Sequence, residues 1–354
     1  MSSWEEYFAG TYGQAREHFE QAVDKSELTL ITRPHPLSTP DRPLSMDAAR
    51  IGSPNARRLL VLTSGVHGPE LLCGSGSQVG LLEEGDFAAL PADTAVLLVH
   101  AINPWGAANI RRVNEDNVDL CRNGVVALAD RPKNAAYDAL HTEVSGPHGR
   151  EWVAGQGGAK AVATRYRSAL LQGQYNHPDG FAYGGDRLAW SNATLLALVA
   201  EQAAAAADVV CIDIHSGLGP YGYGCLGSFQ SLADFERSCR WFGPWTIDAT
   251  AGADNPEHYT VRGQTTEIYA EAVGSARLTS LVLEFGTVDA VAMLGALLDE
   301  HWLYHHGGED HPDAAAIRAR LFAAFYPDDS EWRWAILQRT RQTVRQALVG
   351  LAGS

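Results

Sequence analysis

Leu59-Leu60-Val61-Leu62-Thr63-Ser64-Gly65-Val66-His67-Gly68-Pro69-Glu70 reads as a buried strand that runs into a tight turn. The four leading residues form an apolar run of strand length. Small residues end it, and His67 and Glu70 follow three apart around Gly68 and Pro69. A turn of that composition can aim both side chains at one point. An imidazole nitrogen and a carboxylate at one point are two-thirds of a catalytic zinc site, which needs three protein ligands and an open position.

Outward from this stretch, further strand-like segments recur at 95–100, 209–214 and 278–283, with an earlier one at 27–32. Helix-like segments lie between them at 74–82, 193–207 and 288–303, and an amphipathic helix is expected over 4–24. Alternation of this kind predicts an α/β fold, a single domain with a mixed, largely parallel sheet flanked by helices. Residues 124–190 are glycine-rich and irregular, and they are expected to form a loop-rich insertion that walls a binding site. In such sheets, sites collect at the carboxyl ends of strands.

The third ligand is expected at a second strand end. Val209-Val210-Cys211-Ile212-Asp213-Ile214-His215-Ser216-Gly217 delivers His215 just before a glycine turn. A lone histidine is more often a satisfied core residue; paired with His67 and Glu70 at the same kind of strand end, it fits a ligand. Activating a water also needs a general base. Leu281-Val282-Leu283-Glu284 places a carboxylate in an apolar run, where an unpartnered charge would cost several kcal/mol, roughly. Its bland alternatives are a helix cap and a buried ion pair. Asn103-Pro104 and the polar block from Ile110 to Asn123 follow another strand. The block's arginines can polarise a carbonyl or hold a carboxylate, although such density is also found in solvated loops.

The ordered set resembles the zinc carboxypeptidase superfamily. It comprises His67-x-x-Glu70, Asn103-Pro104, Arg112-x-Asn114, Val118-Asp119-Leu120-x-Arg122-Asn123, His215 and Glu284. That superfamily includes the aspartoacylase and succinylglutamate desuccinylase deacylases. A mostly bacterial branch shares the phrases Tyr183-Gly184-Gly185, Trp190-Ser191-Asn192, the run from His215 to Gly222, and Glu284-Phe285-Gly286-Thr287. The resemblance runs from about 59 to about 303. It implies zinc held by His67, Glu70 and His215, with Asp119 orienting the first histidine. It implies Glu284 as general base and acid, and Arg112 as the oxyanion stabiliser with Arg111 as a substitute. It implies Arg122 on a substrate carboxylate, with Asn103 and Cys121 beside the substrate. Cys121 departs from the asparagine that carboxypeptidases place before that arginine, and a thiol donates hydrogen bonds poorly. The tyrosine that closes over substrate has only Tyr259 and Tyr269 as counterparts by position.

Two hydrolase readings follow, a carboxypeptidase acting on a peptide-like amide with a free carboxylate and a deacylase of N-acyl amino acids. A non-catalytic metal- or partner-binding protein on the same fold is the third. Composition supports a globular chain: 354 residues, 45% hydrophobic and 19% charged. A formal net charge of −15 with no basic cluster speaks against a nucleic-acid partner. No apolar run reaches membrane-spanning length. Five scattered cysteines with no visible signal segment point to reduced thiols and a cytoplasmic setting. Gly222-x-Gly224-x-x-Gly227 matches a dinucleotide-binding string without the helix that should open on it. The late cluster His305, His306, Asp310 and His311 is expected to be a surface loop.

Overall fold

The computed structural model describes residues 4–249 and 261–353. Its framework is one eight-stranded sheet: β1 (Leu30–Pro34), β2 (Ser45–Ile51), β3 (Arg58–Ser64), β4 (Thr94–His100), β5 (Asp208–Tyr221), β6 (Gly224–Ser228), β7 (Ile247–Asp248) and β8 (Arg277–Gly286). The spatial order is β1-β2-β4-β3-β5-β8-β6-β7. The central four strands, β4-β3-β5-β8, are mutually parallel, while β2 and β6 run against their inner neighbours. This is the mixed, largely parallel sheet that the alternating pattern predicts.

Alternation along the strands sorts two cores. Leu60, Leu62, Val210, Ile212, Ile214, Leu281 and Leu283 face one way, toward helices Tyr12–Lys25, Leu71–Glu83 and Ser330–Ala352. Leu59, Val61, Val209 and Cys211 face the other, toward helices Trp190–Gln202 and Thr265–Val273. Each such leucine or valine, removed from water, stabilises the fold by about 1.5–3 kcal/mol. From β3 the chain crosses to β4 on one side and later to β5 on the other, so the strand order reverses at β3. A crevice opens at the carboxyl ends of strands at such a point.

One expectation, that for 124–190, needs correction, and one strand has no counterpart in the sequence reading. Ser45–Ile51 is a strand that the apolar pattern does not mark. Its Asp47 is fully buried, and its Oδ2 accepts from Arg16 Nε at 2.8 Å and from Ser45 Oγ at 2.7 Å. The segment 124–190 is not mainly loop; it holds helices Val125–Asp130, Ala135–Asp138, His141–Ser145, Gly149–Gly155 and Ala159–Leu171. The Gly222–Gly227 string lies in a turn and in β6, antiparallel to β8, and opens no helix. The five cysteines are all free thiols, and among the described residues no helix is long and apolar enough to cross a membrane.

His100, at the end of β4, carries a pH-dependent stability term. It is fully buried, stacks on Phe19 and has Nε2 2.9 Å from Ser75 Oγ. Burial lowers its pKa to about 4. The folded state therefore resists a proton that the unfolded chain accepts near its ordinary value. The stabilisation is complete above about 6.5 and is lost as pH falls toward about 4, by about 3 kcal/mol in all. Urea melts of wild type and His100→Gln between pH 7 and pH 4 are expected to converge by that amount. Parallel pH profiles would contradict the assignment.

Candidate metal centre

The turn after β3 is built for close approach. Gly65 has φ +73°, a left-handed conformation that glycine adopts without penalty. At Gly68 a Cβ would lie 2.1 Å from the Gly106 carbonyl carbon and 2.3 Å from Arg111 O. Only a bare backbone fits there. Pro69 pre-sets the following 3-10 turn, Gly68–Glu70, which brings His67 and Glu70 to one side. Asn103 supports this turn from behind. Its N–H donates to Gly65 O at 2.8 Å and its Oδ1 caps helix Pro104–Asn109 through Gly106 N–H. Asn103 does not line the cavity described below, so its place is under the turn and not beside a substrate.

His67, Glu70 and His215 meet in the interior. His67 Nδ1 is 2.9 Å from Glu70 Oε1, and His215 Nδ1 is 3.1 Å from Glu70 Oε2. The far nitrogens face carboxylates as well: His67 Nε2 lies 3.3 Å from Asp119 Oδ1, and His215 Nε2 lies 3.0 Å from Asp213 Oδ2. A neutral imidazole carries one N–H. With Nε2–H directed to Asp119 and Asp213, both Nδ1 lone pairs would face the same Glu70 carboxylate. That arrangement calls for positive charge between them. Donor atoms about 2.1 Å from a tetrahedral ion lie about 3.4 Å apart, close to the spacings here. The donor set fits a divalent metal bound through two Nδ1 atoms and one carboxylate.

Electrostatics agree. Glu70 and Asp119 converge on the guanidinium of Arg112, which lies 3.2 Å from Glu70 Oε1 and 3.3 Å from Asp119 Oδ2. Burial and Arg112 oppose a charge on His67, yet Glu70 and Asp119 outweigh them and raise its pKa to about 10. Burial also opposes a charge on His215, but Asp213 and Glu70 raise its pKa well above the usual value. Without a metal, protons take the cation's place.

Glu284 sits at the end of β8, in register with His215 on the adjoining parallel strand and therefore on the same face. Its Oε1 accepts the Leu218 N–H at 2.9 Å. Burial and the neighbouring Glu70 raise its pKa to about 7.

One cavity of about 490 Å³ is lined by His67, Glu70, Arg111, Arg112, Asp119 and Cys121, and also by Arg122, His215 and Glu284. The arginines differ in what holds them. Arg111 Nε is tied to Glu300 Oε1 at 2.7 Å, and its guanidinium stacks on Tyr304, 3.4 Å from the ring centroid. Arg122 spends Nε (3.2 Å) and Nη2 (2.5 Å) on Leu171 O and Nη1 (2.9 Å) on Cys121 O. Three of its five N–H donors are thus engaged by main-chain carbonyls, which leaves two for a substrate carboxylate. Cys121 Sγ also lies close to His67 and Asp119, a second group with metal-ligand chemistry.

Sequence reasoning missed Asp213, the Leu218 N–H and Arg167, which lines the cavity from helix Ala159–Leu171. A signal for Asp213 exists: an acid two residues before a histidine on a strand shares its face. Tyr269 is fully buried and does not line the cavity, so it does not close over a substrate. Tyr259 lies outside the described residues. The Tyr183 and Trp190 phrases are structural. Tyr183 O accepts the Asp119 N–H, and Asn192 Nδ2 binds Leu120 O. The late histidines form no metal-capable group among the described residues; His306 Nε2 binds Ser145 O.

No curated protein matches the chain in sequence. In structure it is similar to carboxypeptidase A from Helicoverpa armigera, with 14% identity over 91% of this chain and 75% of that chain and a TM-score of 0.46. It is similar to bovine thrombin-activatable fibrinolysis inhibitor in complex with tick carboxypeptidase inhibitor, with 13% identity, 91% and 98% coverage and a TM-score of 0.47. Succinylglutamate desuccinylase from Chromobacterium violaceum gives 14% identity, 89% and 76% coverage and a TM-score of 0.39. The family model described as protein of unknown function (DUF2817) matches residues 8–339, and the chain belongs to that family.

Proposed function

We propose that this chain is a zinc-dependent amide hydrolase of carboxypeptidase type. The observation that carries the reading is the pair of imidazoles that turn Nδ1 onto Glu70 while Asp119 and Asp213 hold Nε2. His67, Glu70 and His215 would hold the ion, and when bound it supplies a Lewis acid that activates water and polarises a carbonyl. Glu284 takes the proton of the attacking water. Its Oε1 is held by the Leu218 N–H, which leaves Oε2 to exchange the proton. The same carboxyl then protonates the departing amine, so water and amide become acid and amine. Arg112, beside Glu70, stabilises the charge that develops on the carbonyl oxygen. Nitrogen and oxygen ligands in this mix suit zinc.

The second reading is an N-acyl amino acid deacylase. It is favoured by the engagement of Arg122 with Leu171 O and Cys121 O, which weakens a free-carboxylate anchor. One experiment separates them. Zinc-loaded protein is mixed with free-acid peptides, their C-terminally amidated twins and N-acyl amino acids, and products are read by mass spectrometry. Loss of a C-terminal residue from the free acids alone supports the peptidase. Release of amino acids from the N-acyl set alone supports the deacylase. Absence of turnover in all three sets would contradict the hydrolase reading.

A further inference from the structure

Tyr269 has a use that its burial reveals. It lies on helix Thr265–Val273, in the layer against the face of the sheet that carries Asp213. Its hydroxyl is 2.8 Å from Thr63 Oγ1. Thr63 Oγ1 donates to Asp213 Oδ1 at 2.8 Å, and Thr265 Oγ1 donates to Asp213 Oδ2 at 2.9 Å. His215 Nε2 approaches that same Oδ2 at 3.0 Å. Strand register explains the meeting: Thr63 of β3 pairs directly with Asp213 of β5. Helix periodicity explains the rest, since Thr265 and Tyr269, four apart, share a face.

The direction of the chain follows from proton counting. A threonine hydroxyl has one proton to give. Thr63 gives it to the carboxylate, so the phenol of Tyr269 is the donor to Thr63. The series runs one way, from Tyr269 to Thr63 to Asp213, and ends on the nitrogen of His215 that faces away from Glu70. All five side chains are buried, so water does not replace a bond that is lost. A free Thr63 rotor has three staggered positions. The phenol holds it in the one that meets the carboxylate, and the two threonines hold the carboxylate in the plane that meets His215.

We propose that Tyr269 is a positioning residue for the metal site, acting through Thr63 and Asp213 to fix the tautomer and ring orientation of His215. The proposal rests on the reading of His215 as a ligand. Outer partners of metal-binding histidines act in this way, and their loss costs about 10–100-fold in metal affinity. Tyr269 stands two hydrogen bonds further out than Asp213. Loss of its hydrogen bond is expected to cost about 2–10-fold.

The test is a double-mutant cycle read by zinc affinity, in competition with a chromophoric chelator. Tyr269→Phe keeps the ring and removes only the hydroxyl; Asp213→Asn removes the carboxylate. The expected result is weaker zinc binding in each single variant and no further loss when Tyr269→Phe is added to Asp213→Asn. Thr63→Ser should keep wild-type affinity, and Thr63→Val should lose at least as much as Tyr269→Phe. A lowered urea midpoint with unchanged zinc affinity in Tyr269→Phe would overturn the proposal. So would additive losses in the double variant. His215→Ala separates the two levels. If that variant retains zinc, the ligand reading itself fails. If it loses zinc while Tyr269→Phe binds normally, only the positioning role fails.

Discussion

Glu284→Gln is expected to lower turnover by about 10²–10⁴-fold while zinc stays bound. Gln keeps an oxygen for the Leu218 N–H and nearly the same volume, so the end of β8 should not move. It cannot accept and return a proton. The pKa of about 7 at Glu284, set by burial and by Glu70, also fixes a pH profile. Below that value the carboxyl is protonated and cannot serve as base, so kcat/KM falls about tenfold per pH unit on the acid side. The limb near neutrality should be absent from whatever residual activity Glu284→Gln shows. Steady-state kinetics with metal analysis of the same samples checks both. Wild-type turnover in the variant would remove Glu284 from its role.

His215→Ala is expected to weaken zinc binding by more than about 100-fold, beyond what loss of an outer partner costs. The substitution removes one of the three donors and takes the imidazole from Glu70 Oε2, which also accepts the Ser216 N–H at 3.3 Å. It also strips Asp213 of its imidazole. Buried carboxylates deprived of a partner are costly, so the metal-free variant should in addition unfold at lower urea. Metal content after dialysis, measured by mass spectrometry of the element, is the readout. Stoichiometric zinc in this variant would mean that another group completes the site, and Cys121 with His67 and Asp119 is the alternative set.

The parts legible in the sequence were those carried by local signals. The apolar runs of β3, β4, β5 and β8 are continuous because these strands are buried on both faces, and His67, His215 and Glu284 stand at their ends. Glycine and proline marked the turn between β3 and Glu70. β2 was hidden because Asp47 and Arg50 interrupt it, and the ion-pair partner of Asp47 is Arg16, 31 residues away. The helices of 124–155 are short, and the segment relies on distant anchors. Asn134, for example, binds Ala169 O and Gly173 O. Asp213 lay in plain view between two isoleucines. Its purpose depends on Thr63 and Thr265, which only strand register and helix docking bring to it. The engagement of Arg122 with Leu171 O likewise spans 49 residues and leaves no trace in a motif.

Calorimetric titration of zinc into metal-free protein near pH 7, in two buffers of different ionisation enthalpy, tests the metal centre most directly. His67 and His215 are held protonated when the ion is absent, and a metal must displace those protons from Nδ1. The expected result is a single zinc per chain with release of about two protons. No binding at micromolar zinc, or binding with no proton release, would contradict a centre built from His67, Glu70 and His215.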